Sequence, residues 1–209
     1  TVTGTNDAPV ARADTGSTGE NATLNIAASQ GVLANDSDVD GGTLSVSAVN
    51  GVTGSVGQAI TGSNGGTFTL NADGSYSFNP GTAFDRLAAG QTDTTKVSYT
   101  VSDGQGGTAT STLTVTVTGT NDAPVAQAGT ATTEENTLLT GQVPAASDVD
   151  GTIAGYDLAT DVGTGNGSLS FNSDGSYNFT PGTDFDGLAA GESRDVTFSY
   201  TATDNDGGV

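Results

Sequence analysis

The sequence predicts an all-β protein built from two tandem antiparallel β-sandwich domains. Three observations support this prediction: short alternations of apolar and polar residues, frequent glycine-containing turns, and a long internal repeat. Glycine accounts for 32 of 209 residues, hydrophobic residues for 33% and aromatic residues for 6%. These values suit many short strands joined by tight turns, and the regular alternation argues against a disordered chain.

Alternating segments mark the individual strands. Thr67–Leu70 and Ser75–Phe78 alternate on either side of Asp73-Gly74, which predicts a hairpin with a glycine in its turn. Two further one-sided strands follow from the apolar positions Val97, Tyr99 and Val101, and then Leu113, Val115 and Val117. Half-buried strands separated by turn signals favour an antiparallel sandwich over a parallel sheet.

The internal repeat is clearest in its first ten residues. Thr1–Val10 (TVTGTNDAPV) recurs unchanged at Thr116–Val125, and the equivalent asparagines are 121 − 6 = 115 residues apart. A match of this length at a fixed separation indicates a tandem array.

The repeat defines the expected domains. We expect repeat 1 at residues 6–119 and repeat 2 at residues 120–209, with residues 1–5 as the tail strand of a preceding repeat. Repeat 2 is expected to lack its last strand, because repeat 1 has a further segment, Thr108–Gly119, with no counterpart before Val209.

The composition excludes several functions. The chain has 24 acidic and four basic residues, a formal net charge of −20, so we expect no nucleic-acid partner. It has no cysteine or histidine, which excludes disulfides, zinc sites and thiol or imidazole catalysis. No apolar run is long enough to span a bilayer, so no membrane insertion is expected.

Many carboxylates are grouped in short clusters that occur in both repeats. The pairs are Asp38-Val-Asp40-Gly and Asp148-Val-Asp150-Gly. Alternate positions of an extended segment face the same way, so two carboxylates can bind one ion, and calcium takes six to eight oxygen ligands. Asp36 gives repeat 1 the opening of an EF-hand loop, but Ser47 stands where that loop needs a glutamate and Ala146 replaces Asp36 in repeat 2. Asp36 is therefore left out of the predicted site.

Further candidate calcium ligands lie in the linkers, near the first strand of each repeat and before glycine-rich turns. They are Asn6, Asp7, Glu20, Asp103, Asn121, Asp122, Glu135 and Asp204. The alternative for an Asp-Gly pair is ordinary turn chemistry, which we accept for Asp73 and Asp174 in the hairpin tips. For Asp103 and Asp204 both interpretations stay open.

Three motifs resemble a known family: Asn-Asp-Ala-Pro after Val-Thr-Val-Thr, Asp-Val-Asp-Gly, and Ser-Asp-Gly-Gln-Gly-Gly. Together with Phe84–Gly90 (FDRLAAG) they resemble the VCBS repeats of giant bacterial RTX-type adhesins over almost the whole chain. The order of acidic residues is also similar to that of cadherin repeats, which bind calcium between successive domains. The cadherin Asp-Arg-Glu element is only partly present, as Asp85-Arg86-Leu87, and glycine-rich RTX nonapeptides are absent from this segment.

The resemblance implies a calcium-stiffened extender of a secreted, biofilm-type adhesin on the bacterial surface, exported by type I secretion. It also implies an immunoglobulin- or cadherin-like fold and a monomeric rod whose partners are neighbouring repeats of the same chain. The complete junction would combine Glu20 with Asn121, Asp122, Asp148, Asp150 and Asp204. Asp38, Asp40 and Asp103 would face the preceding repeat.

Two other functions compete with this hypothesis. A ligand- or carbohydrate-binding module would use exposed tyrosines as a platform, and Tyr76, Tyr99, Tyr156 and Tyr177 are the candidates, although strand alternation places all but Tyr156 in the core. An enzyme is the weakest candidate, and we predict no catalytic residue: the paired acids suit glycoside hydrolysis in principle, but they recur in linkers and turns, and no histidine can activate a serine.

Overall fold

The computed structural model describes residues 1–209 and divides into two compact units, Thr1–Thr120 and Asn121–Val209. The fold is all-β, as predicted: thirteen strands are accompanied by four short 3-10 turns and by no α-helix. The 3-10 turns span Ala28–Gln30, Thr53–Ser55, Gly81–Ala83 and Gly182–Phe185. No helix in the structure has the length and apolar character needed to cross a membrane.

Unit 1 contains eight strands in two four-stranded sheets. They are β1 Asp14–Gly19, β2 Leu24–Ile26, β3 Ser45–Val49, β4 Ala59–Thr61, β5 Thr67–Leu70, β6 Tyr76–Asn79, β7 Thr92–Ser102 and β8 Thr108–Thr118. One sheet has the order β1-β8-β7-β3 and the other β2-β6-β5-β4. The predicted hairpin is confirmed, because β5 and β6 pair antiparallel with Leu70 opposite Tyr76.

One strand pair departs from the antiparallel prediction. β1 runs parallel to β8, with Asp14 opposite Leu113 and Gly19 opposite Thr118. The two strands are joined through almost the whole repeat, so a long crossover connection is available for parallel pairing. After Gly19 the chain changes sheet, and Leu24 pairs with Phe78 in the second sheet.

The core of unit 1 lies between its two sheets. Alternate residues of β7 and β8 point inward, and Val97, Tyr99, Leu113 and Val115 are each at most 2% exposed. Phe68 and Phe78 contribute from the opposite sheet, with ring centroids 4.5 Å apart. The alternation read from the sequence therefore corresponds to the buried face of each strand.

Unit 2 contains five strands in two smaller sheets. They are β9 Leu139–Gln142, β10 Ile153–Thr160, β11 Ser168–Phe171, β12 Ser176–Thr180 and β13 Ser199–Asp204. β11, β12 and β9 form one antiparallel sheet, while β13 pairs with β10 alone. Its aromatic side chains pack together, with the Tyr177 and Phe198 centroids 5.3 Å apart, but Phe198 and Tyr200 remain partly exposed.

Candidate functional site

The first acidic site of unit 1 joins its N-terminal segment to two later loops. The side-chain amide of Asn6 donates to Asp103 Oδ2 at 2.8 Å, and the backbone N–H of Asp7 donates to Asp40 Oδ2 at 2.5 Å. The N–H of Asp40 in turn donates to Asp38 Oδ1 at 2.9 Å. These five predicted site residues therefore lie together within one unit.

Unit 2 repeats this arrangement with its own residues. The Asn121 amide donates to Asp204 Oδ2 at 2.8 Å, and the N–H of Asp122 donates to Asp150 Oδ2 at 3.3 Å. The N–H of Asp150 donates to Asp148 Oδ1 at 3.0 Å. The same pairs of partners in two different sequence contexts indicate that the motif residues specify the arrangement.

Asp103 and Asp204 close the glycine-rich turns that follow β7 and β13. Asp103 Oδ1 accepts from the N–H of Gln105 at 2.7 Å and of Gly107 at 3.0 Å, and Asp204 makes the equivalent pair of bonds. Both residues are at most 5% exposed. The hydrogen bond from the Asn6 side-chain amide lowers the pKa of Asp103, and the bond from Asn121 lowers the pKa of Asp204 in the same way. The backbone N–H groups of each turn lower these pKa values further. Each carboxylate thus has a turn role and also contacts the linker asparagine.

Glu20 follows β1 directly and is almost fully buried. It is 2% exposed, and its Oε1 accepts from the Thr120 N–H at 2.6 Å and from the Thr120 hydroxyl at 2.7 Å. Its second oxygen, Oε2, is buried and accepts no hydrogen bond. In unit 2, Glu135 has a buried, unpaired Oε2 as well.

Seven buried side-chain oxygen atoms have no hydrogen-bond partner, and six of them belong to predicted calcium ligands. The six are Glu20 Oε2, Asp38 Oδ2, Asn121 Oδ1, Glu135 Oε2, Asp148 Oδ2 and Asp150 Oδ1. A buried oxygen without a partner costs about 1–3 kcal/mol, and more when it is charged. Oxygen is also the donor that calcium takes, so the chemistry of this set fits that ion.

The charges in unit 2 act on one another. Burial, with contributions from the neighbouring carboxylates Asp148 and Asp122, raises the pKa of Asp150 above the ordinary aspartate value. Repulsion between these carboxylates is relieved when a cation binds near them or when one of them is protonated. The structure brings together no group of three or more acidic side chains that could hold a metal ion.

One acidic residue outside the predicted set has an unpaired buried oxygen. Asp36 Oδ1 accepts from the Arg12 N–H at 2.8 Å, and its Oδ2 is buried without a partner. Its side chain lies towards Asp14, whose Oδ2 accepts from the Tyr99 hydroxyl at 2.6 Å. The EF-hand-like run was the only sequence signal for Asp36, which accepts from Arg12, whereas Asp40 accepts from Asp7.

The candidate tyrosines do not form an exposed platform. Tyr76, Tyr99 and Tyr177 are between 1% and 8% exposed, in agreement with their strand positions. Tyr156 is half-buried and its hydroxyl accepts from the Ala146 N–H at 2.9 Å. The structure therefore gives no support to a tyrosine-lined sugar site.

The chain is similar to parts of several longer solved structures. A protocadherin gammaB7 EC3-6 cis-dimer structure matches 96% of the chain with a TM-score of 0.45 and 14% identity, and the match covers 48% of that protein. Drosophila N-cadherin EC1-4 matches 94% with a TM-score of 0.45 and 13% identity, over 45% of its length. A Bacteroides ovatus glucan-utilization protein, SGBP-B, in complex with a mixed-linkage heptasaccharide matches 97% with a TM-score of 0.28 and 15% identity, over 45% of its length. The chain spans less than half the length of each.

No curated protein matches the chain at a significant level. The family model of the bacterial cadherin-like domain matches twice, at residues 6–119 and 121–209. Both repeats are covered almost completely, and the chain belongs to the bacterial cadherin-like domain family.

Proposed function

We propose that the chain is a pair of calcium-stiffened extender repeats from a large secreted bacterial adhesin. In this role it projects a distal adhesive domain from the cell surface and performs no catalysis. Membership of the bacterial cadherin-like family supports a binding or adhesion module in a tandem array. The VCBS-like motifs and the resemblance to RTX adhesins support the more specific assignment, including export by type I secretion.

The observation that carries this proposal is the set of six buried, unpaired oxygens on predicted ligands. Folding removes these atoms from water and gives them no protein donor, which is costly unless a cation replaces the lost hydration. The net charge of −20 points the same way, because mutual repulsion opposes the compact state unless cations reduce it.

The proposed ligands follow the order of the motifs along the chain. Glu20 and the linker pair Asn121 and Asp122 would act with Asp148, Asp150 and Asp204 at one junction. The junction with a preceding repeat would use the equivalent residues of repeat 1, which are Asn6, Asp7, Asp38, Asp40 and Asp103. Glu135 would bind calcium at the junction with a following repeat. Bound calcium would supply a compact positive charge shared by carboxylate, amide and backbone oxygens. The protein side chains set the spacing of these oxygens and hold them in place through the hydrogen bonds to the linkers.

Calorimetric titration of the chain with calcium is the direct test, with Asp150→Asn as the informative variant. Asp157→Asn is its matched control, because Asp157 is an exposed aspartate of β10 in the same unit and the charge change is identical. We expect Asp150→Asn to lower calcium affinity at least tenfold and Asp157→Asn to leave it nearly unchanged. Equal effects of the two variants on calcium affinity would show that calcium is attracted by the overall negative charge and is not bound at a specific site.

Stiffening is tested separately by small-angle scattering and thermal unfolding. The expected results in millimolar calcium are a higher melting temperature and a longer particle than in chelator. Scattering profiles that coincide in the two conditions would contradict the spacer function even if calcium binds.

A further inference from the structure

The acidic loop of unit 2, residues 148–152, is closed at its start by one of its own carboxylates. Asp148 Oδ1 accepts from the backbone N–H of Asp150 at 3.0 Å and from that of Gly151 at 2.6 Å. The second oxygen of Asp148, Oδ2, and the Oδ1 atom of Asp150 are buried and accept no hydrogen bond. Asp148 therefore fixes the turn with one oxygen and keeps the other without a partner.

The end of the same loop is held by Asn205, a residue outside the predicted ligand set. The N–H of Asn205 donates to Thr152 O at 3.0 Å, and Asn205 Oδ1 accepts from the N–H and the hydroxyl of Thr152 at 2.6 and 3.1 Å. A Cβ at Gly151 would lie 2.8 Å from Asn205 Oδ1 and 3.2 Å from Asp148 Oδ1, so the glycine leaves room for both oxygen atoms. Three hydrogen bonds thus fix Thr152, and β10 begins at the next residue.

The neighbouring Asp206 sets the orientation of the Asn205 side chain. Asn205 Nδ2 donates to Asp206 Oδ2 at 2.7 Å, and the N–H of Asp206 donates to Asp204 Oδ1 at 2.7 Å. An ionised carboxylate only accepts hydrogen bonds and a backbone N–H only donates them. Asp206 therefore requires the amide nitrogen on its side, and Thr152 requires the amide oxygen. The side chain of Asn205 has a single orientation that satisfies both partners.

The position of unit 1 that corresponds to Asn205 is Gly104, which has no side chain to hold a loop. The acidic loop of unit 1, residues 38–42, ends in Gly41 and Gly42, whose φ angles are 74° and 137°, and β3 starts only at Ser45. Glycine has the largest conformational freedom of all residues. The two repeats therefore share the paired aspartates but differ in what holds the end of the acidic loop.

We propose that Asn205 is a positioning residue that holds the acidic loop of unit 2 in its cation-binding shape before a cation binds. The inference rests on the calcium binding proposed above and adds a difference between the repeats, since the loop of unit 1 is ordered only when the cation binds. A loop that is already fixed loses less conformational entropy on binding, which raises its affinity. Asn205 is not itself a ligand, because the two donors of Thr152 occupy both lone pairs of its Oδ1.

Nuclear magnetic resonance of the full chain measures the two parts of this inference separately. In chelator, hydrogen exchange of the Thr152 amide reports the hold of Asn205 without any cation. We expect this amide to exchange at least about tenfold more slowly than the amide of Gly42, relative to the rates of an unstructured chain. A calcium titration followed at the Gly151 amide then gives the affinity of the unit 2 loop.

The informative variant is Asn205→Ala, which removes the acceptor of the Thr152 N–H. We expect the Thr152 amide to exchange about three- to tenfold faster and the calcium dissociation constant measured at Gly151 to rise by a similar factor, the range that one or two hydrogen bonds support. Asn178→Ala is the matched control, because Asn178 is an exposed asparagine of β12 whose Oδ1 also accepts a hydroxyl, that of Thr140.

A second variant, Thr152→Val, removes only the hydroxyl and keeps the backbone N–H that Asn205 accepts. Its Thr152→Val amide should stay protected to within about threefold of the wild type, because one exposed hydrogen bond is lost. Exchange of the β11 amides must stay at wild-type rates in every variant, which shows that unit 2 remains folded.

The inference is overturned by an unprotected Thr152 amide in the wild-type chain. It is also overturned if Asn205→Ala keeps the wild-type exchange of Thr152 or the wild-type calcium affinity at Gly151. A wild-type chain that binds no calcium would instead refute the extender proposal. Protection of Thr152 in chelator that is lost in Asn205→Ala would still show that Asn205 holds the loop.

Discussion

The guanidinium of Arg194 lies over the ring of Phe185, 4.0 Å from the ring centroid. In repeat 1 the equivalent ring, Phe84, is also covered by an arginine, Arg86, at 5.8 Å. The two arginines are not equivalent in sequence. Phe84 and Phe185 differ by 101 positions, and at the same offset Arg194 corresponds to Asp93 and Arg86 to Gly187.

The arginine over the ring therefore lies between the 3-10 turn and β7 in repeat 1, and in the segment before β13 in repeat 2. In repeat 1, Arg86 forms an ion pair with Asp93 and donates to the carbonyl of Ala83. In repeat 2, Arg194 donates to the carbonyls of Gly165 and Asp184, at 2.9 and 3.2 Å. Both solutions place a planar cation on the phenylalanine and hold the 3-10 turn in place.

Removal of each arginine should destabilise only its own repeat. We expect Arg194→Ala to lower the stability of unit 2 by about 1 kcal/mol, since the cation–π contact and two exposed hydrogen bonds are lost. Arg86→Ala is the matched variant for unit 1. Hydrogen exchange that reports each unit separately is the measurement, and a uniform effect of either variant on both units would contradict the assignment.

Gly107 and Gly208 leave room for the asparagine–aspartate pairs of the site. A Cβ at Gly208 would lie 2.3 Å from Asp204 Oδ2 and 2.6 Å from Asn121 Nδ2, and Gly107 has the same relation to Asp103 and Asn6. We expect Gly208→Ala to break this pair, to destabilise unit 2 by roughly 1–3 kcal/mol and to weaken calcium binding.

The control for this variant is Gly187→Ala, because a Cβ at Gly187 meets no atom within 4 Å. Thermal unfolding and calcium titration of the two variants make the comparison. If Gly208→Ala matched Gly187→Ala in both measurements, the close packing of Gly208 would have no energetic consequence.

The stability of unit 1 should depend on the protonation of Asp14. Burial and the neighbouring Asp36 charge raise its pKa, although the Tyr99 hydroxyl partly opposes the shift. A raised pKa in the folded state means that protonation favours folding. The stabilisation is complete below the unfolded-state value of about 4 and is lost as the pH rises through the higher folded-state pKa.

Asp14→Asn removes this titration and keeps an oxygen that can accept from Tyr99. We expect the stability advantage of the variant over the wild type to shrink as the pH is lowered from about 7.5 towards about 4, because protonation of the wild-type carboxyl, whose folded-state pKa is raised, favours folding. Thermal unfolding in chelator over this pH range is the measurement. A difference that stays constant with pH would show that Asp14 titrates with an ordinary pKa.

Unit 2 should open before unit 1. β13 pairs along one edge only and its Tyr200 is partly exposed, whereas the equivalent β7 lies between β8 and β3 with Tyr99 only 1% exposed. Fewer hydrogen-bonded neighbours and less apolar burial lower the free energy of local opening.

Hydrogen exchange should therefore be faster for the β13 amides than for those of β7. β12 is the internal control, because it has a strand on both sides within unit 2. Equal protection of β13 and β12 would indicate that pairing with one strand, β10, protects β13 as well as pairing with two strands protects β12.

Much of this protein can be predicted from the sequence, because strand alternation and motif spacing are local properties. The alternation of Val97, Tyr99 and Val101 predicts the buried face of β7, even when the neighbouring strands are not known. The ten-residue identity of the two repeats places the linker, and the Asp-x-Asp pairs identify the acidic loops.

Other features were decided by contacts between residues distant in sequence. The Glu20–Thr120 hydrogen bonds join residues 100 positions apart, and no local sequence pattern predicts them. The same holds for the parallel pairing of β1 with β8 and for the different positions of Arg86 and Arg194, which cover equivalent rings. Alternation, repetition and charge can be read from the order of the residues alone. The partner of each residue depends on the folded chain, because hydrogen bonds and burial are set by where the other residues lie.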